Sequence, residues 1–221
     1  MHALIIGASR GIGLEFVRQY RADGWAVTAT ARRDADLAVL RELGATALQL
    51  DVASAESVSR LTWQLDGHAF DVVLHVAGVY GPPTEGLEPP TDADFAEVMG
   101  INVLGPMRVL PALVDALAPG AKLAVLSSRM GAIGPRTGHY GWLYRASKAA
   151  VNSVLKDVSQ VLAGRCICVS LHPGWVRTDM GSSAADLSPE QSVADLRRVI
   201  AGLRPADNGR FFNHDGTSID W

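Results

Sequence analysis

Two cysteines among 221 residues leave no material for a disulfide framework. Cys166 and Cys168 lie two apart, so in a strand they face one side with Ile167 opposite. No second pair and no histidine cluster accompanies them, and they read as buried structural thiols of a reducing, cytoplasmic setting. A large excess of one charge sign is missing too: 20 Lys and Arg against 23 Asp and Glu give a net charge of −3. That excludes the basic footprint of a nucleic-acid or anionic-membrane binder. No apolar run approaches the length of a membrane span, and a glycine turn at residue 7 leaves no room for a signal peptide. Repeats are absent. The only low-complexity stretch, "GPPTEGLEPPT" (81–91), is too short to link domains. A single domain over 1–221 is expected.

What is present is alternation. "HALIIGASRGIGLEF" (2–16) opens with a short apolar run, then sets Gly7, Gly11 and Gly13 ahead of apolar residues at helical spacing. In a strand–turn–helix of this kind, backbone N–H groups at the helix start can cradle a phosphate. Glycine suits that turn because a Cβ would block close approach of a pyrophosphate. Further strands are expected at 25–31, 45–50, 71–78, 122–128, 166–174 and 210–213, with helices at 34–44, 54–65, 92–117, 141–163 and 189–202. Pro106 and Pro111 threaten the long helix 92–117. Trp25 and Trp63 read as core, and so does His75 at the end of a buried strand. Apolar strands alternating with helices specify an α/β fold, a Rossmann-type doubly wound parallel sheet in three αβα layers. Such a sheet binds ligands at the carboxyl ends of its strands.

The second strand ends "TATARRD", with Ala31, Arg32 and Arg33 where a dinucleotide fold would carry a carboxylate for the ribose 2′-hydroxyl. Guanidinium matches a phosphate in charge and fork geometry, and Arg10 in the glycine turn can close on the same group. This favours NADP over NAD. The strongest chemical signal is "YRASK": Tyr144 and Lys148 are four apart and share a helix face. An ammonium beside a phenol lowers its pKa from about 10, making it a usable general acid or base. Ser127 and Ser128 end the preceding strand, within reach of Tyr144.

Together these motifs resemble the short-chain dehydrogenase/reductase family, along the whole chain. "GASRGIG", "DV" at Asp51–Val52, "INVLGP", "SS…YRASK" and "HPGWVRTDM" carry the likeness. The wording of "GVYGP", "YRASKAA" and the tail "FFNHDGTSIDW" is similar to the family's C-factor and Sniffer-like carbonyl reductases. The resemblance implies an NADP(H)-dependent oxidoreductase acting on a small carbonyl/alcohol pair. Tyr144 would protonate the carbonyl oxygen as hydride arrives, and Lys148 would bind the nicotinamide ribose and keep Tyr144 acidic. Ser128, sixteen before Tyr144 as in that branch, would hold the substrate oxygen. Asn102 would anchor a water linking Lys148 to solvent. The cofactor set it implies is Gly7, Ser9, Arg10, Gly11, Ile12, Gly13, Arg32, Asp51, Val52, Ala77, Gly78, Asn102, Tyr144, Lys148, Pro173, Gly174, Val176 and Thr178.

"HVAG" (75–78) departs from the family's Asn-Asn-Ala-Gly, and the segment between Asp179 and Pro189 is short for a substrate lid. Trp142 and Trp175 flank catalytic segments, where lining a pocket and packing both remain open. Trp221 could fold near the pocket or into a subunit contact. The family likeness and the small, apolar residues of 92–117 and 141–163 imply a homodimer or larger homo-oligomer. The competing class is a cofactor-binding signalling or regulatory protein with little turnover. The complete Asn–Ser–Tyr–Lys set favours the enzyme.

Overall fold

The computed structural model describes residues 1–221. The apolar run ahead of the first glycine is strand β1 (His2–Ile6), and the helix behind the turn is α1 (Gly11–Ala22). Alternation continues through β2 (Ala26–Ala31), α2 (Asp34–Glu42), β3 (Thr46–Gln49), α3 (Ala55–Gln64) and β4 (Phe70–His75). The second half adds α4 (Asp92–Met99), α5 (Gly105–Ala112), β5 (Leu117–Leu126), α6 (Trp142–Val161), β6 (Cys166–His172), α7 (Pro189–Gly202) and β7 (Arg210–Asn213). All seven strands join one sheet in the order β3-β2-β1-β4-β5-β6-β7. Every neighbouring pair is parallel.

Parallel strands need a helical crossover each, so helices cover both faces and the strands are apolar throughout. Apolar clusters of 23 and 22 buried residues lie on the two sides, which makes the sheet the middle of three equal layers. Phe16, Leu40 and Val193 anchor one; Leu61, Leu110 and Leu155 anchor the other. The chain winds outward from β1 to β3, then returns to place β4 on the other side of β1. That reversal opens a crevice above the carboxyl ends of β1 and β4, where Ile6 pairs with His75. No helix is long and apolar enough to cross a membrane.

The expected helix 92–117 is broken. A widened π turn, Gly100–Leu104, separates α4 from α5, and a short 3₁₀ turn, Val114–Ala116, follows. The cause is Pro106, whose ring clashes with the carbonyl four residues back and offers it no N–H. That carbonyl belongs to Asn102, so the helix opens at a candidate site residue. Trp63 is a second correction: it is 84% exposed and not core. The buried face of α3 carries Ser57, Val58 and Leu61, and residue 63 turns away from it. Trp25 packs against the core as expected. Strands β4 and β6 stop at His75 and His172, short of the expected 78 and 174, because the chain there turns into the crevice. β5 starts at Leu117, earlier than 122. Cys166 and Cys168 are free, buried and neighbouring, with sulfurs 3.3 Å apart.

Candidate active site

The crevice continues as a cleft of about 750 Å³ running from the end of β2 to the start of α6. Its floor is the glycine turn. A Cβ on Gly13 would lie 2.2 Å from the Gly7 carbonyl oxygen, and one on Gly7 would lie 2.7 Å from the Ala77 backbone. The turn therefore closes only with glycine at these places, leaving the N–H groups at the start of α1 facing the cleft. No acidic side chain sits in the first turn of α1, so nothing there competes with a bound anion. Ser9, Arg10, Gly11, Ile12, Asp51, Val52, Ala77, Gly78, Pro173 and Thr178 also line this cleft. Gly174 and Val176 do not line it. Val176 is buried, and Gly174 closes against Leu187.

At the β2 end the charges are more mixed than the sequence suggests. Asp36 lines the cleft, but Arg33 grips both its oxygens at 2.8 Å. Arg10 pairs with Asp179 across the cleft mouth. Arg32 makes no ion pair of its own, and both it and Arg10 stand close enough to Asp36 to help hold its carboxyl below the usual range. With Asp51 and Arg177, which line the same cleft, four guanidiniums face three carboxylates and leave one positive charge in excess.

At the other end, α6 delivers Tyr144 and Lys148 on one buried face. Lys148 Nζ donates to the Leu126 carbonyl at 2.9 Å and lies 5.6 Å from the centre of the Tyr144 ring. Burial lowers the ammonium's pKa to about 8. The phenol moves against expectation. Burial pushes Tyr144 up to about 12, Tyr80 adds to the rise, and a hydrogen bond with Ser128 pulls only partly back. In this structure desolvation outweighs the ammonium, whose N–H points to a carbonyl and not to the phenol oxygen. Tyr144 is thus a protonated donor at neutral pH.

The two serines separate. Ser127 Oγ donates to the Lys148 carbonyl at 3.4 Å, whereas Ser128 Oγ accepts from Met130 N–H at 3.1 Å and is the serine whose hydroxyl acts on the ionisation of Tyr144. Ser127 lines the cleft and Ser128 does not. Asn102 sits in the π turn with every polar atom of its side chain used. Its Oδ1 accepts from Val79 N–H at 2.8 Å, while Nδ2 donates to Val79 O at 2.8 Å and to Ser147 Oγ at 2.9 Å. Ser147 Oγ in turn donates to the Tyr144 carbonyl at 2.8 Å.

His75 is buried with Nε2 unpartnered, and burial with the nearby Lys148 charge lowers it to about 3. It is neutral and belongs to the core. Trp142 is half-buried, and Trp175 is 51% exposed. Trp221 stacks on Phe211, ring centres 5.5 Å apart. The residue that sequence reasoning passed over is Tyr80, quoted only inside "GVYGP". Its signal was an aromatic two residues after the Ala77–Gly78 step.

Fold and site together define a doubly wound α/β protein with a phosphate-cradling turn and a Ser–Tyr–Lys cluster at one cleft. The family profile described as short chain dehydrogenase matches residues 1–188. The chain belongs to the short-chain dehydrogenase/reductase family of oxidoreductases. It is 42% identical over 154 residues to C-signal of Myxococcus xanthus, covering 68% of this chain and 92% of that one. It is 37% identical over 230 residues to a 1-hydroxy-2-glutathionyl-2-methyl-3-butene dehydrogenase of Rhodococcus, covering 99% and 98%. A short-chain dehydrogenase/reductase structure from Burkholderia multivorans with bound NADP superposes with a TM-score of 0.91 at 30% identity, covering 100% and 99%.

Proposed function

We propose that the protein is an NADP(H)-dependent reductase of small carbonyl compounds, with Tyr144 as proton donor. The observation that carries this reading is Tyr144 and Lys148 at the end of a cleft, with Ser128 just behind it, whose other end is a glycine turn and a net positive corner. The cleft fits a phosphorylated dinucleotide, because the turn closes tightly only with glycine at 7 and 13, which sets the start of α1 against the cleft. Gly7, Ser9, Gly11, Ile12 and Gly13 would hold the pyrophosphate, and Arg32 the 2′-phosphate. Asp51, Val52, Ala77 and Gly78 would flank the adenosine side; Pro173 and Thr178 would frame the nicotinamide side, with Gly174 and Val176 behind them shaping the loop and not touching the cofactor. NADPH supplies hydride when bound. Lys148 binds the ribose hydroxyls with the N–H groups that Leu126 leaves free. Ser128 orients the substrate oxygen, and Tyr144 gives it a proton as negative charge develops. The family resemblance would have Asn102 anchor a water for Lys148, but Val79 and Ser147 engage its side-chain amide, and its role here is to shape the wall behind Lys148.

Incubation with NADPH and a panel of ketones, aldehydes and quinones, following loss of reduced cofactor, tests this directly. The competing reading, a signalling protein with little turnover, is favoured by the name of the Myxococcus relative. Tight NADPH binding with no turnover across the panel would select it. We further propose a single cytoplasmic domain over 1–221, assembled as a homodimer or larger through α4, α5 and α6. Phe95, Leu104 and Met107 leave 50%, 42% and 53% of their surface exposed there. A monomeric mass in light scattering would contradict the assembly.

The cofactor corner makes its own prediction. Arg32→Ala removes a charge-assisted hydrogen bond of about 1.5–3 kcal/mol, weakening NADPH by roughly tenfold or more. NADH, lacking the phosphate, is expected to bind unchanged. Titration of both cofactors by intrinsic tryptophan fluorescence reads the difference. Equal losses for the two would remove Arg32 from the phosphate site.

A further inference from the structure

We propose that Tyr80 is the positioning residue through which Asn102 fixes the phenol ring of Tyr144, and it rests on the reading of Tyr144 as proton donor. The Tyr80 and Tyr144 rings stack with centres 4.5 Å apart and planes 27° apart. Stacking at that distance blocks rotation of the Tyr144 ring toward the Tyr80 side. Tyr80 is itself held in place. Asn102 ties down both backbone groups of the preceding Val79. The following Gly81 abuts Val98, where a Cβ would come within 2.5 Å of Cγ2. Beyond the ring, Gly141 leaves space for the phenol: a Cβ there would lie 2.4 Å from Tyr80 Oη. Tyr140 flanks the other side, ring centres 6.4 Å apart.

Two routes therefore run from Asn102 to Tyr144, and they do different things. The route through Ser147 Oγ ends on the Tyr144 carbonyl and fixes the helix backbone. The route through Val79 and Tyr80 ends on the ring and fixes the group that reacts. A donor misplaced by an ångström loses most of its effect, so the second route bears on turnover. The stacked ring also covers one face of the buried phenol, whose ionisation burial dominates.

Three variants and three readouts test this. The readouts are kcat for carbonyl reduction, NADPH affinity, and the Tyr144 phenol titration, taken as an ultraviolet difference against Tyr144→Phe in the same background. Tyr80→Leu is expected to lower kcat by about 10²-fold, with NADPH affinity unchanged. Its Tyr144 titration should fall from about 12 toward the ordinary value near 10. Tyr80→Phe keeps the ring and is expected to stay within about threefold of wild type, with most of the raised titration retained. Tyr80→Met fills the same space without a ring and is expected to resemble Tyr80→Leu, which covers the case where Tyr80→Leu does not fold. An unchanged kcat and titration in Tyr80→Leu would overturn the proposal. So would a raised carbonyl KM with kcat intact, since that marks a substrate wall and not a positioning residue. If wild type reduces no carbonyl, the functional reading fails, and the titration alone still decides whether Tyr80 governs the phenol.

Discussion

Tyr144→Phe is expected to lose carbonyl reduction by about 10²–10⁴ in kcat while binding NADPH as wild type does. The ring and its stack on Tyr80 survive the change, so packing is kept. Only the hydroxyl goes, and with it the proton that, on the proposed reading, meets the developing oxyanion. That loss corresponds to roughly 3–5 kcal/mol of barrier, the scale of one general acid acting in a water-poor site. Cofactor affinity is insulated because the glycine turn and Arg32 lie at the far end of the cleft. Turnover within about threefold of wild type would put the proton donor elsewhere.

Lys148→Met is the second large effect, and it strikes both properties. The ammonium is buried, spends one N–H on the Leu126 carbonyl, and has the others for a ribose. Its removal is expected to weaken NADPH by at least about tenfold and to lower kcat by about 10²-fold. The pH dependence follows from its lowered pKa. Below about 8 the free protein carries the cation; as pH rises through that value the charge is lost. The kcat/KM for NADPH reports the free protein, so its alkaline limb should fall near pH 8 and disappear in Lys148→Met. Tyr144 is still protonated there and cannot produce that limb. Below pH 8 the buried cation opposes folding, since both folded and unfolded chains carry it but only one is desolvated. Lys148→Met should therefore melt no lower than wild type at neutral pH. An NADPH affinity unchanged by the substitution would remove Lys148 from the ribose.

Much of the fold was legible because its signals are local. Each strand is a short apolar run, each helix an amphipathic period, and the glycine turn falls between the first of each. What was not legible depended on three-dimensional competition. Pro106 announces a break, but only the structure says that it falls at Asn102 as a widened turn. Trp63 reads as core by residue type, yet the face of α3 is set by Val58 and Leu61. The Tyr144–Lys148 spacing correctly places both on one buried face. The direction of the phenol shift was misjudged because burial, which sequence does not report, outweighs a charge aimed at Leu126. Arg10 is visible as a cation in the turn, but its pairing with Asp179 joins residues 169 apart. Tyr80 was overlooked because a tyrosine in a loop has no period and matters only through the ring it touches.

Direct hydride transfer to a carbonyl carbon within this cleft is read by following an isotope from cofactor to product. NADPH deuterated at the transferring position of its nicotinamide ring would be mixed with excess protein and a reducible carbonyl. One deuterium is expected on the carbinol carbon of the product, from one ring face only, and none with Tyr144→Phe on the same timescale. NADPH that binds tightly yet leaves every carbonyl unlabelled would contradict it.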